Sequence, residues 1–149
     1  MAAPERFSVV PAVYLVFRNN DEVLLLKRKN TTYFDSHYSL PAGHIDGKEA
    51  AIDAAIREGK EEVGVTLAKQ DLSFVHLLHR PALELAGRER FDLFFEVLNF
   101  EGEIVNAEPD KCSELRWAAE KNLPENIVPE VAQALGCIAA GVYYSDINF

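Results

Sequence analysis

Between residues 49 and 63, apolar side chains recur at helical spacing, set among runs that have the character of strands. Ile52, Ala55, Ile56, Gly59 and Val63 fall at i, i+3, i+4, i+7 and i+11, the stripe of a helix that must bury one side. Gly64 follows the last periodic residue, where helices commonly end. Ahead of it, residues 9–17 (VVPAVYLVF) and 22–28 (EVLLLKR) are β-type runs separated by the turn-forming Arg18-Asn19-Asn20-Asp21, and pairing as a hairpin is expected. Residues 29–38 have no period and read as a loop. Residues 73–79 and 90–98 are strand-like again, 101–113 a loop, 114–118 a short strand, and 128–140 a second helix after the breaker Pro124. The order β-β-α-β-β-β-α predicts a mixed sheet with helices packed on it.

A chain of 149 residues with 48% hydrophobic and 26% charged residues has the balance of one ordinary globular domain. Its formal net charge of −9 disfavours nucleic acid and anionic membranes as partners. Val9–Phe17 is interrupted by Pro11 and is too short to span a bilayer, and the residues before it lack the basic start of a signal peptide. Cys112 and Cys137 form no CxxC pair, so free thiols and a cytoplasmic location are expected.

Projected at about 100° per residue with Glu58 at zero, Glu62 falls near 40° and Glu61 near 300°. The apolar stripe is centred near 115° by the same geometry. Glu58 thus neighbours two like charges at i+3 and i+4, a repulsive arrangement that Lys60 points away from. Such a face suits a hard divalent cation such as Mg²⁺ or Mn²⁺. Taken alone, an acidic helix face is ordinarily just solvated.

The surroundings of the cluster change that reading. Residues 43–65 run GHIDGKEAAIDAAIREGKEEVGV: Gly43, five residues, Glu49, seven residues, then Arg57-Glu58-x-x-Glu61-Glu62-x-Gly64-Val65. This resembles the signature of the Nudix hydrolase superfamily. One position departs, since the residue after Arg-Glu is usually aliphatic there and is Gly59 here. A helix-interior glycine costs about 1 kcal/mol relative to alanine, so Gly59 is expected to permit close approach of the helix to the sheet.

The resemblance implies the Nudix fold, an α+β or α-β-α sandwich with a mixed β-sheet packed between helices, in a single domain over residues 1–149. It implies that Glu58, Glu61 and Glu62 bind divalent ions with the backbone carbonyl of Gly43. Arg57 would hold the first carboxylates in place and Glu49 would support the loop. The segment Asn106–Cys112, followed by Leu115-Arg116-Trp117, is similar to one in MutT-like nucleoside triphosphate pyrophosphatases. There a loop glutamate approaches the metal cluster as ligand or base; Glu108 is the match, with Glu101 and Glu103 as competitors.

Other residues carry two readings each. Arg28 ends the second strand and could contact phosphates, or be surface charge between Lys27 and Lys29. Arg90 and Asp92 share one side of their strand and could line the substrate cleft or form a structural ion pair. Tyr33, Phe34 and Tyr38 could stack on a base or simply pack. His76 and His79 lie an odd number of residues apart in a strand, so they are a poor metal pair. Gly43–Lys48 departs from a P-loop, because Glu49 stands where Ser or Thr is required.

The implied activity is attack of water on phosphorus in a small nucleotide substrate, a nucleoside triphosphate foremost, assisted by Mg²⁺ with Mn²⁺ as substitute. Rival readings are hydrolysis of ADP-ribose, a nucleotide sugar or a dinucleoside polyphosphate, and a nucleotide-sensing module without turnover. Assembly as a homodimer is left open. Three carboxylates on one helix face would convert part of the acidic excess into a demand for cations, which would let an anionic substrate approach.

Overall fold

A computed structural model describes residues 2–82 and 87–149. The elements are β1 (Val10–Asn19), β2 (Glu22–Arg28), β3 (Tyr38–Ser39), β4 (Ala42–His44), α1 (Ala51–Val63), a 3₁₀ turn (Lys69–Asp71), β5 (Leu72–Arg80), β6 (Arg90–Val97), β7 (Cys112–Ala119), α2 (Pro129–Ala139) and β8 (Tyr144–Asp146). The strands follow the order β3-β2-β1-β6-β5-β8, with β4 pairing β1 and β7 pairing β2. β1 runs parallel to β6 and β5 parallel to β8, while the other pairs are antiparallel. The sheet is therefore mixed, as expected.

The apolar run in β1 is nearly continuous because the strand is covered on both faces. Ala12, Tyr14 and Val16 join Val131, Ala134 and Leu135 of α2 in one core, and Val13, Leu15 and Phe17 join Ala54, Ala55 and Val63 of α1 in the other. Alternate residues of a strand point to opposite faces, so one strand anchors both layers of a helix–sheet–helix sandwich. Each fully buried Val, Leu or Phe contributes roughly 1.5–3 kcal/mol.

The β1–β2 hairpin forms only at its tip, through Arg18↔Val23 and Asn19↔Glu22, with Asn20 at φ 55° in the turn. Beyond the tip the strands part. β1 turns to β4 and β6, and β2 to β3 and β7. Three short strands, β3, β4 and β8, have no sequence signal, since each is only two or three residues long and exists through its partner. The 76/79 reading holds: His76 bonds Val142 O and Ser145 Oγ, whereas His79 bonds Glu89. Both cysteines are free thiols. Among the described residues, no helix is long and apolar enough to cross a membrane.

α1 begins at Ala51 rather than at residue 49, because the Glu49 carboxylate is committed to the preceding turn, accepting from the Asp46 amide at 2.9 Å. It ends at Gly64, whose amide bonds the Lys60 carbonyl and whose φ of 75° turns the following Val65 amide back to the Gly59 carbonyl. The helix is rolled toward its carboxylates: Glu58 and Gly59 are buried while Ile52 and Ile56 are only half-buried. Gly59 makes this docking fit, for a Cβ there would come 2.7 Å from Leu67 Cδ1 and 3.4 Å from Leu15 Cδ1.

Candidate active site

α1 delivers Glu58 and Glu62 beneath β4. The Ala42 amide donates to Glu62 Oε2 at 3.0 Å, and the Glu58 carboxylate lies against the Cα of Gly43. A methyl group at Gly43 would overlap Oε1 and Cδ of Glu58 and stand 2.6 Å from Oε2, so glycine is required by close approach.

The third carboxylate comes from the loop between β6 and β7. Its amides cap the last turn of α1: Val105 N–H bonds Val63 O at 3.0 Å and Ala107 N–H bonds Glu62 O at 3.1 Å. Asn106 then accepts from the Glu108 amide and donates to Cys112 O, while the Lys111 and Cys112 amides both bond Glu108 O. The loop is thereby tied to the helix end and Glu108 is aimed at the helix face. Carboxylate oxygens of Glu58, Glu62 and Glu108 lie within 4.8 Å of one another, a cluster able to hold a cation. Glu61 lies on the rim of the same acidic cleft, half-exposed and 3.3 Å from Arg57. Glu101 and Glu103 stay outside the cleft lining.

Arg57 is the organising cation. It donates to Glu49 at 2.8 Å, Glu58 at 2.7 Å, Glu61 at 3.3 Å and the His44 carbonyl at 3.0 Å. Burial nevertheless pushes Glu58 upward in pKa against the pull of Arg57. Glu62 is pushed up to about 8, first by burial, with Glu58 and Glu108 adding repulsion against the Ala42 amide. Two neighbouring carboxylates resisting ionisation are short of positive charge. The donor set, hard oxygens at close quarters, fits a divalent cation.

Where β1 and β2 part, a cavity of about 340 Å³ opens beside the cleft and shares Ala42, Gly43, His44, Glu62 and Lys111 with it. Arg28 and Arg90 both line this cavity. Arg28 also donates to the Tyr33 carbonyl at 3.3 Å. Asp92 does not line it. That carboxylate is fully buried, 2.8 Å from Arg80 Nε and 3.4 Å from Arg90, so the pair is structural from the Asp92 side and cavity-lining from the Arg90 side. Of the three aromatics, Tyr33 lines the cavity. Tyr38 is buried against Glu114 and Phe34 packs on the α2-side core.

The structure also brings in residues that sequence reasoning did not single out. Tyr14, Arg80, Lys111, His44 and Glu130 all line the cavity. Lys111 lies 3.5 Å from Glu108 within the segment already noted, so its spacing was a usable signal. Arg80 and Glu130 had none, for they meet only through strand pairing and helix docking. Burial, then Arg90, lowers the His44 pKa, and burial raises Tyr14 to about 12, so both are neutral near pH 7. The arginine and lysine side chains lining the cavity are Arg28, Arg80, Arg90 and Lys111, next to a carboxylate cluster. That juxtaposition suits a polyanion bridged to divalent cations.

Comparison with known proteins agrees with this geometry. The model of the NUDIX domain matches residues 8–135. A Bacillus subtilis (strain 168) protein provisionally named 8-oxo-dGTP diphosphatase is 30% identical over 137 residues, covering 92% of this chain and 83% of its own. The fold is that of the MutT NUDIX hydrolase from Burkholderia pseudomallei (TM-score 0.78, 24% identity, 87% of this chain and 97% of that one). It is shared with the MutT protein from Methanosarcina mazei Go1 (TM-score 0.76, 18% identity, 92% and 97%). With the signature residues gathered around one cleft and the family match spanning most of its length, this chain belongs to the Nudix hydrolase family and has the MutT-like fold.

Proposed function

We propose that this protein is a divalent-metal-dependent pyrophosphohydrolase of nucleoside triphosphates, releasing a nucleotide and pyrophosphate or phosphate, and that residues 1–149 act as one cytoplasmic domain. The observation that carries the reading is the convergence of Glu58, Glu62 and Glu108 beside a cavity bearing Arg28, Arg80, Arg90 and Lys111. Glu58, Glu62 and Glu108 would hold the ions together with the Gly43 carbonyl, and Glu61 would join from the rim. Mg²⁺, or Mn²⁺ in its place, would supply Lewis acidity at the phosphoryl oxygens and acidify the attacking water. Arg57 keeps the carboxylates at their separations. Arg28 and Arg90 would orient the phosphates, and Glu108, the member of the cluster carried on a loop, would take the proton from water or complete the ligand set.

The test is turnover of a panel containing 8-oxo-dGTP, the natural nucleoside triphosphates, ADP-ribose, a nucleotide sugar and a dinucleoside polyphosphate, with Mg²⁺ and with chelator. 8-oxo-dGTP belongs on it because of the Bacillus relative's name. Triphosphate hydrolysis that disappears with chelator and falls at least 100-fold in Glu62→Gln and Glu108→Gln supports the reading. Preference for ADP-ribose would move the substrate class, and absence of turnover would leave a nucleotide-binding module.

A further inference from the structure

The turn that follows Glu108 is held from outside its own loop. Three successive carbonyls, those of Pro109, Asp110 and Lys111, accept hydrogen bonds from Lys29 and Asn30. Lys29 Nζ reaches Pro109 O at 3.4 Å, Asn30 Nδ2 reaches Asp110 O at 3.0 Å, and the Lys29 amide reaches Lys111 O at 2.9 Å. The partners of the two side-chain bonds stand 80 residues apart in the chain, so nothing local to the turn requires this pairing. Both donor residues are exposed. An exposed hydrogen bond adds little to stability, because water competes for the same groups. Asn30 is also held at φ 57°, a left-handed conformation that asparagine tolerates better than most residues. Stability explains such a residue poorly, and its tie to the turn beside the carboxylate cluster points to the site instead.

The segment that carries Lys29 and Asn30 is a stiff wall of the cavity. Thr31 Oγ1 and Arg28 Nε both donate to Tyr33 O, at 2.9 and 3.3 Å. The Thr31 amide donates to Asp35 Oδ1 at 3.1 Å, and the Ser36 amide to Arg28 O at 2.9 Å. Asn126 Nδ2 fastens Ser36 O to the segment ahead of α2 at 3.0 Å. Arg28, Thr31 and Tyr33 line the cavity. The position of this wall is therefore passed to the 109–111 carbonyls, and through them to Glu108.

Resting on the role of Glu108 given above, we propose that Asn30 is a positioning residue for the reaction. It lines neither the cleft nor the cavity and acts through Glu108. Its amide fixes the turn after Glu108 to the cavity wall, so that the carboxylate meets the metal ions and the attacking water at a set separation. Of the three bonds, that of Asn30 is the one a substitution removes cleanly. The Lys29 amide bond survives any side-chain change, and Lys29 Nζ makes its longer contact on a flexible stem.

The test compares the wild-type protein with Asn30→Gly, which keeps the left-handed φ at no steric cost and removes the amide. Mn²⁺ binding is followed by electron paramagnetic resonance without substrate, and kcat and KM by Mg²⁺-dependent triphosphate hydrolysis. Asn30→Gly should weaken Mn²⁺ binding and lower kcat by about 3- to 10-fold each, the range of one lost hydrogen bond. KM and melting temperature should stay near their wild-type values. In a Glu108→Gln background the same substitution should change Mn²⁺ affinity and kcat by less than about 2-fold, because the carboxylate it positions is gone. Mn²⁺ affinity and kcat both unchanged, a raised KM alone, or losses that multiply in the double variant would overturn the assignment. Should Asn30→Gly fail to fold, Asn30→Asp decides: it keeps the shape, sets an oxygen against Asp110 O, and should show the same losses. A loss of Mn²⁺ affinity in the variant, with no triphosphate hydrolysed by either protein, would refute the hydrolase reading and leave this one standing. Hydrolysis with Asn30→Gly at wild-type rate and Mn²⁺ affinity would do the reverse. A wild-type chain that binds no Mn²⁺ would overturn both.

Discussion

Gly43 and Glu58 occupy one another's space: the Glu58 carboxylate fills the volume that a Cβ on Gly43 would need. Gly43 is paired to Val13 in the sheet and has no positive φ, so the glycine serves close approach and not an unusual backbone conformation. The expected outcome for Gly43→Ala is a displaced Glu58, with Mg²⁺-dependent turnover reduced at least 10-fold and the concentration of Mg²⁺ for half-activation raised. Thermal stability should change little, because the carboxylate can swing toward the open cleft. Unchanged Mg²⁺ activation in Gly43→Ala would show that Glu58 need not lie where it does.

Arg57 bonds Glu49, Glu58, Glu61 and the His44 carbonyl at once. A lysine ammonium is a compact charge without the planar fork that reaches such a set. Arg57→Lys should therefore retain the fold yet weaken Mg²⁺ affinity about 10- to 100-fold, the range found when groups orienting metal ligands are removed. Magnesium titration of activity, with circular dichroism as the fold control, checks this.

Burial holds Glu62 at a pKa of about 8, above the carboxylate value of 4.5. The folded chain thus binds this proton more tightly than the unfolded chain does. The resulting stability is fully present below about pH 4.5 and is lost as the pH rises through about 8. Metal-free protein should show a melting temperature declining across this window, with the Glu62 contribution absent in Glu62→Gln. Added Mg²⁺ should raise the melting temperature more at pH 8.5 than at pH 6, since ligation requires the ionised carboxylate. A Mg²⁺ effect independent of pH would separate Glu62 from metal binding.

Gly59 sets two effects against each other. Alanine would recover about 1 kcal/mol of helix propensity. Its methyl, however, would press on Leu67 Cδ1 at 2.7 Å and Leu15 Cδ1 at 3.4 Å in a filled core, where overpacking costs about 1–3 kcal/mol. Gly59→Ala should leave the protein unchanged or less stable by up to about 2 kcal/mol. The same substitution in a Leu67→Ala background should be stabilising. Denaturant melts of the two singles and the double provide the cycle, and a large stability rise in Gly59→Ala alone would exclude the packing role.

What could be read from the sequence is what local geometry governs. The period of 3.6 residues puts Glu58, Glu61 and Glu62 on one face wherever the helix forms, and Gly64 stops that helix through its own φ of 75°. Arg18–Asp21 mark the turn between two β-type runs, and spacing alone separates His76 from His79. Even the departure at Gly59 was legible, because a glycine amid an apolar stripe implies a neighbour too close for a side chain.

What only the tertiary structure decided depends on residues far apart in the chain. Spacing treats three glutamates as equal. Packing under β4 buries Glu58 and draws Glu62 in with it, leaves Glu61 on the rim, and replaces it in the tight cluster with Glu108, whose loop is bonded to the carbonyls ending α1. Arg90 and Asp92 alternate correctly in their strand, yet Arg80, 12 residues earlier, takes Asp92 into a buried pair and leaves Arg90 to the cavity. Glu130 becomes notable only because docking of α2 desolvates its carboxylate while satisfying one oxygen. Helical period and backbone preference are properties of a few adjacent residues. Desolvation and hydrogen-bond satisfaction are properties of everything within reach of an atom, and the fold alone determines that neighbourhood.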